Sequence, residues 1–169
     1  GKQTTDYSSA TGGGGGRIAV YYTDISGFGT SNITAYGGIG SNSNGANGGA
    51  GTIYTKSSTQ TYGDLIVDNN DIATSVYSTP LVSVGTGTST DLTADVLTND
   101  TQSWRDNDLA GIYLNPDTGQ SSVNKILNND GTTITTDQSG VDMTTLAVGS
   151  EYRGKYILDH LYVRGGARV

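Results

Sequence analysis

The chain has 169 residues and a formal net charge of −7; it is 33% hydrophobic and 15% charged, with 26 glycines and no cysteine. Strong helix formers are scarce, which argues against a helical bundle or an α/β enzyme fold. No apolar run approaches the roughly 20 residues that span a bilayer, and scattered cations in an acidic chain argue against nucleic-acid binding. The composition therefore predicts an all-β protein with no nucleic-acid partner and no membrane insertion.

The first part, residues 1–79, is predicted to be a Gly-rich part resembling a β-solenoid. Short β-branched or aromatic segments, separated by long Gly- and Asn-rich stretches, favour the stacked coils of a parallel β-helix. A β-sandwich, which also has regularly spaced short strands, remains the alternative. The glycine run 12–16 is predicted to be a flexible arc, since neither a helix nor the lysine of a phosphate loop follows it. The predicted strands are residues 17–22, 32–36, 51–55 and 64–67.

The second part, residues 80–154, is predicted to be a compact antiparallel β module. Its glycine content falls and its alternation of apolar and polar residues is clearer, with strands expected at 81–84, 91–97, 111–114, 123–127, 132–136 and 152–158. The sequence Asn-Asn-Asp-Gly at 128–131 predicts a tight hairpin turn between two of these strands. We expect the core of this module to contain Trp104, Leu109, Ile112, Leu114, Ile126 and Ile134.

The last stretch, residues 155–169, is predicted to be a terminal strand that rejoins the solenoid or pairs with a neighbouring copy. The chain starts without a methionine or a signal segment and stops in what looks like the start of a strand, so we expect a processed form or a piece of a longer polypeptide. Unpaired strand edges template pairing with other chains. The predicted self-association edges are Arg17, Ile18, Val20, Leu161, Val163 and Val169.

Several strings of this sequence resemble modules of very large repetitive bacterial surface proteins. GGGGGRIAVYY (12–22), AYGG (35–38), GGAGTIY (48–54) and YGDLIVDN (62–69) resemble a Gly-rich module, and LAGIYLNP (109–116), KILNN (125–129) and TTIT (132–135) are similar to a β module beside it. The final LYVRGGARV (161–169) resembles the return into a right-handed β-helix. The resemblance implies an extracellular or cell-surface location, a structural or adhesive role, and no catalytic residues.

Two acidic clusters are candidate Ca²⁺ sites. Neighbouring carboxylates repel one another unless a cation or hydrogen-bond donors compensate, and Ca²⁺ accepts irregular cages of oxygen ligands. Solvated turns, which Asp and Asn favour in any case, are the alternative. The predicted metal ligands are Asp100, Asp106, Asn107 and Asp108, with residues 68–71 as the second candidate. No other cofactor is predicted.

Few side chains are suited to acid–base catalysis, because the chain has one histidine, His160, and one glutamate. The protein is therefore predicted not to be an enzyme. A polysaccharide-active β-helix enzyme that uses a pair of aspartates is the less favoured alternative. The chain also has 11 tyrosines. Five of them near strand ends either pack on half-buried strands or form an aromatic strip for glycans or a neighbouring subunit: Tyr21, Tyr22, Tyr36, Tyr54 and Tyr62.

The sequence thus predicts a structural building block of an extracellular bacterial assembly. It would be either a surface-protein repeat or a filament subunit, and its partners would be other copies or adjacent repeats joined by β-strand addition. The alternative is a carbohydrate-binding adhesin module, with or without Ca²⁺.

Overall fold

A computed structural model describes residues 10–41, 45–74 and 77–169 of the chain. In these ranges the chain forms eleven β-strands, numbered here in chain order, and two short 3-10 helices. The all-β class predicted from composition is confirmed. None of the helices described is long and apolar enough to cross a membrane. The chain divides into two compact units, one of Gly1–Leu81 with Leu158–Val169 and the other of Val82–Ile157.

The first unit contains a four-stranded mixed sheet. Its strands are β1 (Arg17–Tyr22), β2 (Thr52–Ser57), β3 (Asp64–Asp68) and β11 (His160–Arg164), in the spatial order β1-β2-β3-β11. The β1–β2 and β3–β11 pairs are parallel, whereas β2 and β3 are antiparallel. Parallel neighbours need long connections, and here the whole second unit is inserted in the sequence between β3 and β11.

Three glycine segments, residues 10–16, 35–41 and 45–51, form a hydrogen-bonded bundle beside this sheet. The first donates to the third (Gly12 N to Ala46 O, 2.8 Å), the third to the second (Gly48 N to Gly38 O, 2.9 Å), and the second to the first (Gly38 N to Gly13 O, 2.8 Å). Further bonds repeat three residues along, as in Gly15 N to Gly49 O at 2.9 Å. A three-residue period with bonds only to neighbouring segments is the pattern of polyproline-II-type chains.

Glycine is required at every third position of this bundle because the backbones touch there. An added Cβ at Gly15 would lie 1.9 Å from the carbonyl oxygen of Ala35, and one at Gly12 would lie 1.9 Å from that of Gly38. Collagen needs glycine every third residue for the same steric reason. The positions at which a Cβ would meet another segment's backbone closer than 2.5 Å are Gly12, Gly15, Gly37, Gly45, Gly48 and Gly51.

Asn69 ties this bundle to the end of β3. Its fully buried side chain accepts a hydrogen bond from Gly37 N (2.8 Å) and donates to the carbonyls of Gly48 (3.2 Å) and Ile72 (2.6 Å). Buried amides need such partners, since an unpaired buried polar group costs about 1–3 kcal/mol. The glycine run is therefore not the flexible arc that the sequence predicted, but a segment bonded on two sides.

One strand prediction for this half is wrong, and the solenoid prediction is left open by the structure. Residues 32–36 are not a strand: a 3-10 turn at Thr30–Asn32 precedes extended chain whose Ala35 carbonyl accepts from Gly51 N. The backbone there is satisfied by the glycine bundle rather than by a sheet ladder. The described residues show a mixed sheet and no solenoid coil, so the solenoid arrangement stays a prediction.

The second unit is a seven-stranded antiparallel sheet, as predicted for a compact β module. The spatial order of its strands is β4-β10-β7-β8-β9-β6-β5. The predicted hairpin at 128–131 is confirmed, with β8 running on to Asn129 and a register shift between Ile126 and Asn128. The predicted strand 81–84 is absent, and 91–97 is split by a turn at 93–95. The strands are β4 (Thr86–Thr88), β5 (Asp91–Leu92), β6 (Val96–Thr98), β7 (Tyr113–Asn115), β8 (Asn124–Asn129), β9 (Thr133–Thr136) and β10 (Glu151–Lys155).

All six residues predicted for the core of this unit lie in it. Leu109, Ile112, Leu114, Ile126 and Ile134 are buried, and Trp104 packs against them partly buried. Tyr152, which is fully buried, also belongs to this cluster and was not predicted. Its hydroxyl accepts a hydrogen bond from Asn99 Nδ2 (2.9 Å), and its ring lies 6.1 Å from the ring of Trp104. The polar end of a buried tyrosine thus has the partner it needs.

Candidate functional sites: two sheet edges and a cleft

The four-stranded sheet of the first unit has two edges, formed by β1 and β11. Each of these strands is paired on one side only among the described residues. Since β1 runs with β2, β2 against β3, and β3 with β11, the two edge strands run in opposite directions. The two edges of the sheet are thus formed by strands that are antiparallel to each other.

The structure places five of the six predicted self-association residues on these edge strands. Arg17, Ile18 and Val20 lie on β1, and Leu161 and Val163 lie on β11. Val169 lies beyond β11, after a turn at Gly165 and Gly166 in which both residues have positive φ. The chain ahead of Val169 is held by Thr79, whose N–H donates to the Arg168 carbonyl at 2.7 Å. Val169 is therefore not part of an edge strand.

One face of the sheet carries exposed apolar side chains at both edges. The register aligns Tyr21 with Lys56, Tyr54 with Leu65, and Leu65 with Leu161, so these residues share a face. On that face Tyr21 is 72% exposed at the β1 edge, and Leu161 and Val163 are 52% and 42% exposed at the β11 edge. The ring of Tyr21 lies 5.8 Å from the ring of Tyr54.

The opposite face of β11 is polar and is paired with β3. His160 Nδ1 lies 2.9 Å from Asp64 Oδ1, and Arg164 Nε donates to Asp68 Oδ2 at 2.7 Å. Tyr162 lies between them in the strand, and its ring stacks on His160 at 5.7 Å. Both contacts join residues in direct register on parallel strands.

A cleft of about 360 Å³ opens on this polar face, between residues 30–36 and the sheet. Its floor includes the apolar side chains Ile53 and Ile66, which are opposite one another on β2 and β3, and Ile33 joins them from the covering segment. Besides Ala35, its walls carry hydroxyls, an amide, an aromatic ring and one ion pair: Thr30, Ser31, Thr34, Thr55, Asn70, Tyr36, and Asp68 with Arg164.

Asp68 and Arg164, the ion pair in this cleft, are both charged at neutral pH. The Asn70 N–H donates to Asp68 Oδ1 at 2.8 Å and lowers the pKa of that carboxyl, partial burial opposes this, and Arg164 lowers it further. Asp68 is thus anionic and is matched by one cation. Among the described residues, no charged side chain besides this pair lines the cleft. The Asp68–Arg164 pairing was not predicted, because residues 96 positions apart carry no local signal of the β3–β11 register.

The predicted Ca²⁺ residues are placed on the surface of the second unit. Asp100 Oδ2 accepts from Thr90 Oγ1 (3.2 Å), and Asp106, Asn107 and Asp108 are exposed, with Asn107 at a positive φ of 61°. Within the described ranges no group of three or more acidic, histidine or cysteine side chains is arranged to hold a metal ion. In the other candidate cluster, Asp68 is engaged by Arg164. Ca²⁺ binding stays a prediction.

The five tyrosines singled out in the sequence do not form one strip. Adjacent residues of a strand point to opposite faces, so Tyr21 and Tyr22 lie on different sides of the sheet. Tyr36 lines the cleft, and the Tyr54 hydroxyl donates to the Tyr62 carbonyl.

His160 is paired with Asp64 rather than with its neighbour Asp159, whose Oδ2 accepts from Gly63 N at 2.8 Å.

Comparison with known proteins adds no relative from which a role could be transferred. The chain matches no protein-family model, and no curated protein sequence or solved structure is significantly similar to it. The sheet edges and the cleft are therefore the features of this chain that point to a function.

Proposed function

We propose that this chain is a structural building block of an extracellular bacterial assembly, either one repeat of a surface protein or one subunit of a filament, and that copies join by β-strand addition. The observation that carries the proposal is the strand order β1-β2-β3-β11, which, among the residues that the structure describes, leaves one edge strand on each side of the sheet. Unpaired strand edges bind further strands through main-chain hydrogen bonds.

The opposite directions of the two edges specify how copies would join. If β11 of one copy pairs with β1 of the next, the new pair is antiparallel and the sheet continues with the same repeat of strand directions. Such a contact joins two different surfaces. Because it need not close on itself, it generates an open fibre.

Side chains at the two edges are complementary in this arrangement. An antiparallel register that sets Tyr21 of one copy opposite Leu161 of the next also sets Ala19 opposite Val163, on the same face. Each aromatic–aliphatic cross-strand pair contributes roughly 0.2–1 kcal/mol. Strands of six and five residues offer few ladder bonds. We therefore expect association to be weak at each joint and strongly dependent on concentration.

The first test is sedimentation velocity and negative-stain electron microscopy of the purified chain over a range of concentrations. We expect oligomers that grow with concentration and, at the highest concentrations, thin fibres. The variant Leu161→Lys adds a charge to the β11 edge and should reduce the oligomers to monomers. Leu127→Lys is the matched control, since Leu127 is 53% exposed on a strand in the interior of the other sheet. A wild-type chain that stays monomeric throughout contradicts the proposal.

A mixing experiment distinguishes head-to-tail joining from two-fold joining. Tyr21→Lys blocks the β1 edge and Leu161→Lys blocks the β11 edge, so each variant alone should be monomeric. Mixed in equal amounts, they still offer one intact β11 and one intact β1 and should form a heterodimer that grows no further. If either variant alone forms dimers, like edges pair with each other and the head-to-tail arrangement is wrong.

The extracellular bacterial location is supported by the resemblance of sequence strings in the glycine-rich part and in the antiparallel module to modules of bacterial surface proteins. Immunogold labelling of thin sections of the source cells with an antibody against the chain tests it. Labelling confined to the cell interior contradicts this part of the proposal.

A further inference from the structure

We propose that the cleft between residues 30–36 and the polar face of the sheet is a binding site for a neutral saccharide. This inference is independent of strand addition, because it uses the face of the sheet rather than its edges. Its volume of about 360 Å³ lies at the lower end of the roughly 300–1,000 Å³ typical of small-ligand sites. The site therefore suits a small sugar or one terminal unit of a glycan.

The polar groups of the cleft are of the kinds that hold sugar hydroxyls. Within the part of the chain that the structure describes, the side chains of Thr34, Tyr36 and Asn70 make no hydrogen bond to another residue. Each offers both a donor and an acceptor. A ligand with several hydroxyls, each able to donate and accept, matches these groups better than a ligand with only one kind of polar atom.

Charge argues for a neutral ligand. The cleft contains one carboxylate and one guanidinium, and these are bonded to each other at 2.7 Å. An anionic sugar would compete with Asp68 for Arg164, and a cationic ligand would compete with Arg164 for Asp68. An uncharged ligand can instead bond to the outer atoms of the pair, since the Arg164 side chain is 63% exposed.

The apolar lining accounts for the carbon face of a sugar ring. Tyr36 is 46% exposed at the cleft, and Ile33, Ile53 and Ile66 provide aliphatic surface. Aromatic rings combine an apolar face with a polar end. In this arrangement the ring of a sugar packs on Tyr36 and the isoleucines, while its hydroxyls reach Thr34 and Asn70.

The experiment is a chemical-shift titration of the ¹⁵N-labelled chain with glucose, galactose, mannose and N-acetylglucosamine, each with and without EDTA. We expect at least one sugar to shift resonances of residues 30–36 and 66–70, with a Kd in about the millimolar range. EDTA should leave the shifts unchanged, since the one carboxylate of the cleft is already paired. Using the Leu161→Lys variant keeps self-association from broadening the signals, so the two proposals fail separately.

Tyr36→Ala should weaken binding at least tenfold, whereas Tyr77→Ala should not change it. Tyr77 is the matched control because it is 44% exposed and lies outside the cleft lining. Thr34→Val, which removes one hydroxyl at constant shape, gives a second probe if Tyr36→Ala does not fold. The proposal is overturned if no sugar shifts the cleft resonances, if the shifts lie elsewhere, or if the folded cleft variants bind as the wild type does.

Discussion

At single positions in the glycine bundle, one methyl group decides whether the three segments can approach. We expect Gly15→Ala to destabilise the first unit by about 2–3 kcal/mol or more, as overpacking between fixed groups does. The added Cβ would lie 1.9 Å from the Ala35 oxygen and 2.3 Å from the Gly51 nitrogen, and both are backbone atoms that cannot turn aside. Urea unfolding followed by circular dichroism measures the loss.

The neighbouring glycine supplies the control. A Cβ at Gly16 would meet nothing within 4 Å, and replacing glycine by alanine at a compatible position stabilises by about 0.4–1 kcal/mol through the unfolded chain. Gly16→Ala should therefore be neutral or slightly stabilising. Equal losses for Gly15→Ala and Gly16→Ala would show that the three segments do not pack at a three-residue period.

The three-residue period of the glycine bundle is not apparent in the sequence of this region. Gly12 and Gly15 face another backbone closely, whereas a Cβ at Gly14 or Gly16 would have room. Because all five residues are glycine, the run 12–16 shows no period in the sequence and suggests flexibility. The period becomes visible only when this run is compared with residues 37–40 and 45–51. Which segment lies against which depends on long-range contacts that a single sequence does not display.

Among the elements, β10 depends on one buried hydroxyl. Tyr152→Phe should cost about 1–3 kcal/mol, because Asn99, which is 2% exposed, would keep a buried N–H group without its acceptor. Thermal or urea unfolding of the purified variant measures this cost.

Tyr156→Phe is the control for this substitution, since the Tyr156 hydroxyl donates to the Val82 carbonyl at an exposed position, where losses are usually within about 0.5 kcal/mol. In a double-mutant cycle with Asn99→Ala, the Tyr152→Phe cost should shrink. A cost that is the same with and without Asn99 would show that the bond contributes nothing.

The strands were predictable to the extent that their pairing is local. The β8–β9 hairpin follows from the Asn-Asn-Asp-Gly turn, and the core leucines and isoleucines of the second unit follow from alternation. Residues 81–84 and 32–36 have the same apolar pattern but are not strands. Alternation reports which side chains are buried, but a strand also needs a partner for its backbone, and these two segments have none in a sheet ladder.

For the molecule as a whole, the sequence indicated where the glycine-rich and antiparallel parts lie but not which surfaces they expose. The pairing of β3 with β11, across an insertion of a complete unit, brings Asp68 to Arg164 and creates one wall of the cleft. Asp68 and Arg164 are 96 positions apart in the sequence, so their contact depends on the pairing of β3 with β11. Five of the six self-association residues named from the sequence lie on β1 or β11, whereas Val169 does not. The cleft could not be predicted without the β3–β11 register.

Acid sensitivity belongs to the whole chain, because it adds over many carboxylates. The hydrogen bond from the Asn70 N–H lowers the pKa of Asp68. Partial burial acts in the opposite direction, and Arg164 lowers the pKa further. For Asp137, burial acts to raise the pKa, but bonds from Ser139 and Lys125 outweigh it and the net shift is also downward. A lowered folded pKa contributes stability that is present above the unfolded value of about 3.9 and is lost as pH falls through the folded value.

We therefore expect the melting temperature to change little between pH 7 and pH 5 and to fall steeply below about pH 4. There the nine Lys and Arg side chains are also no longer balanced by carboxylates. Asp137→Ala should melt below the wild type at pH 7 and converge with it in acid, whereas Asp106→Ala reports the effect of removing one exposed negative charge from the same unit. A gap between Asp137→Ala and wild type that persists unchanged at pH 2 would mean that Asp137 stabilises the fold without its charge.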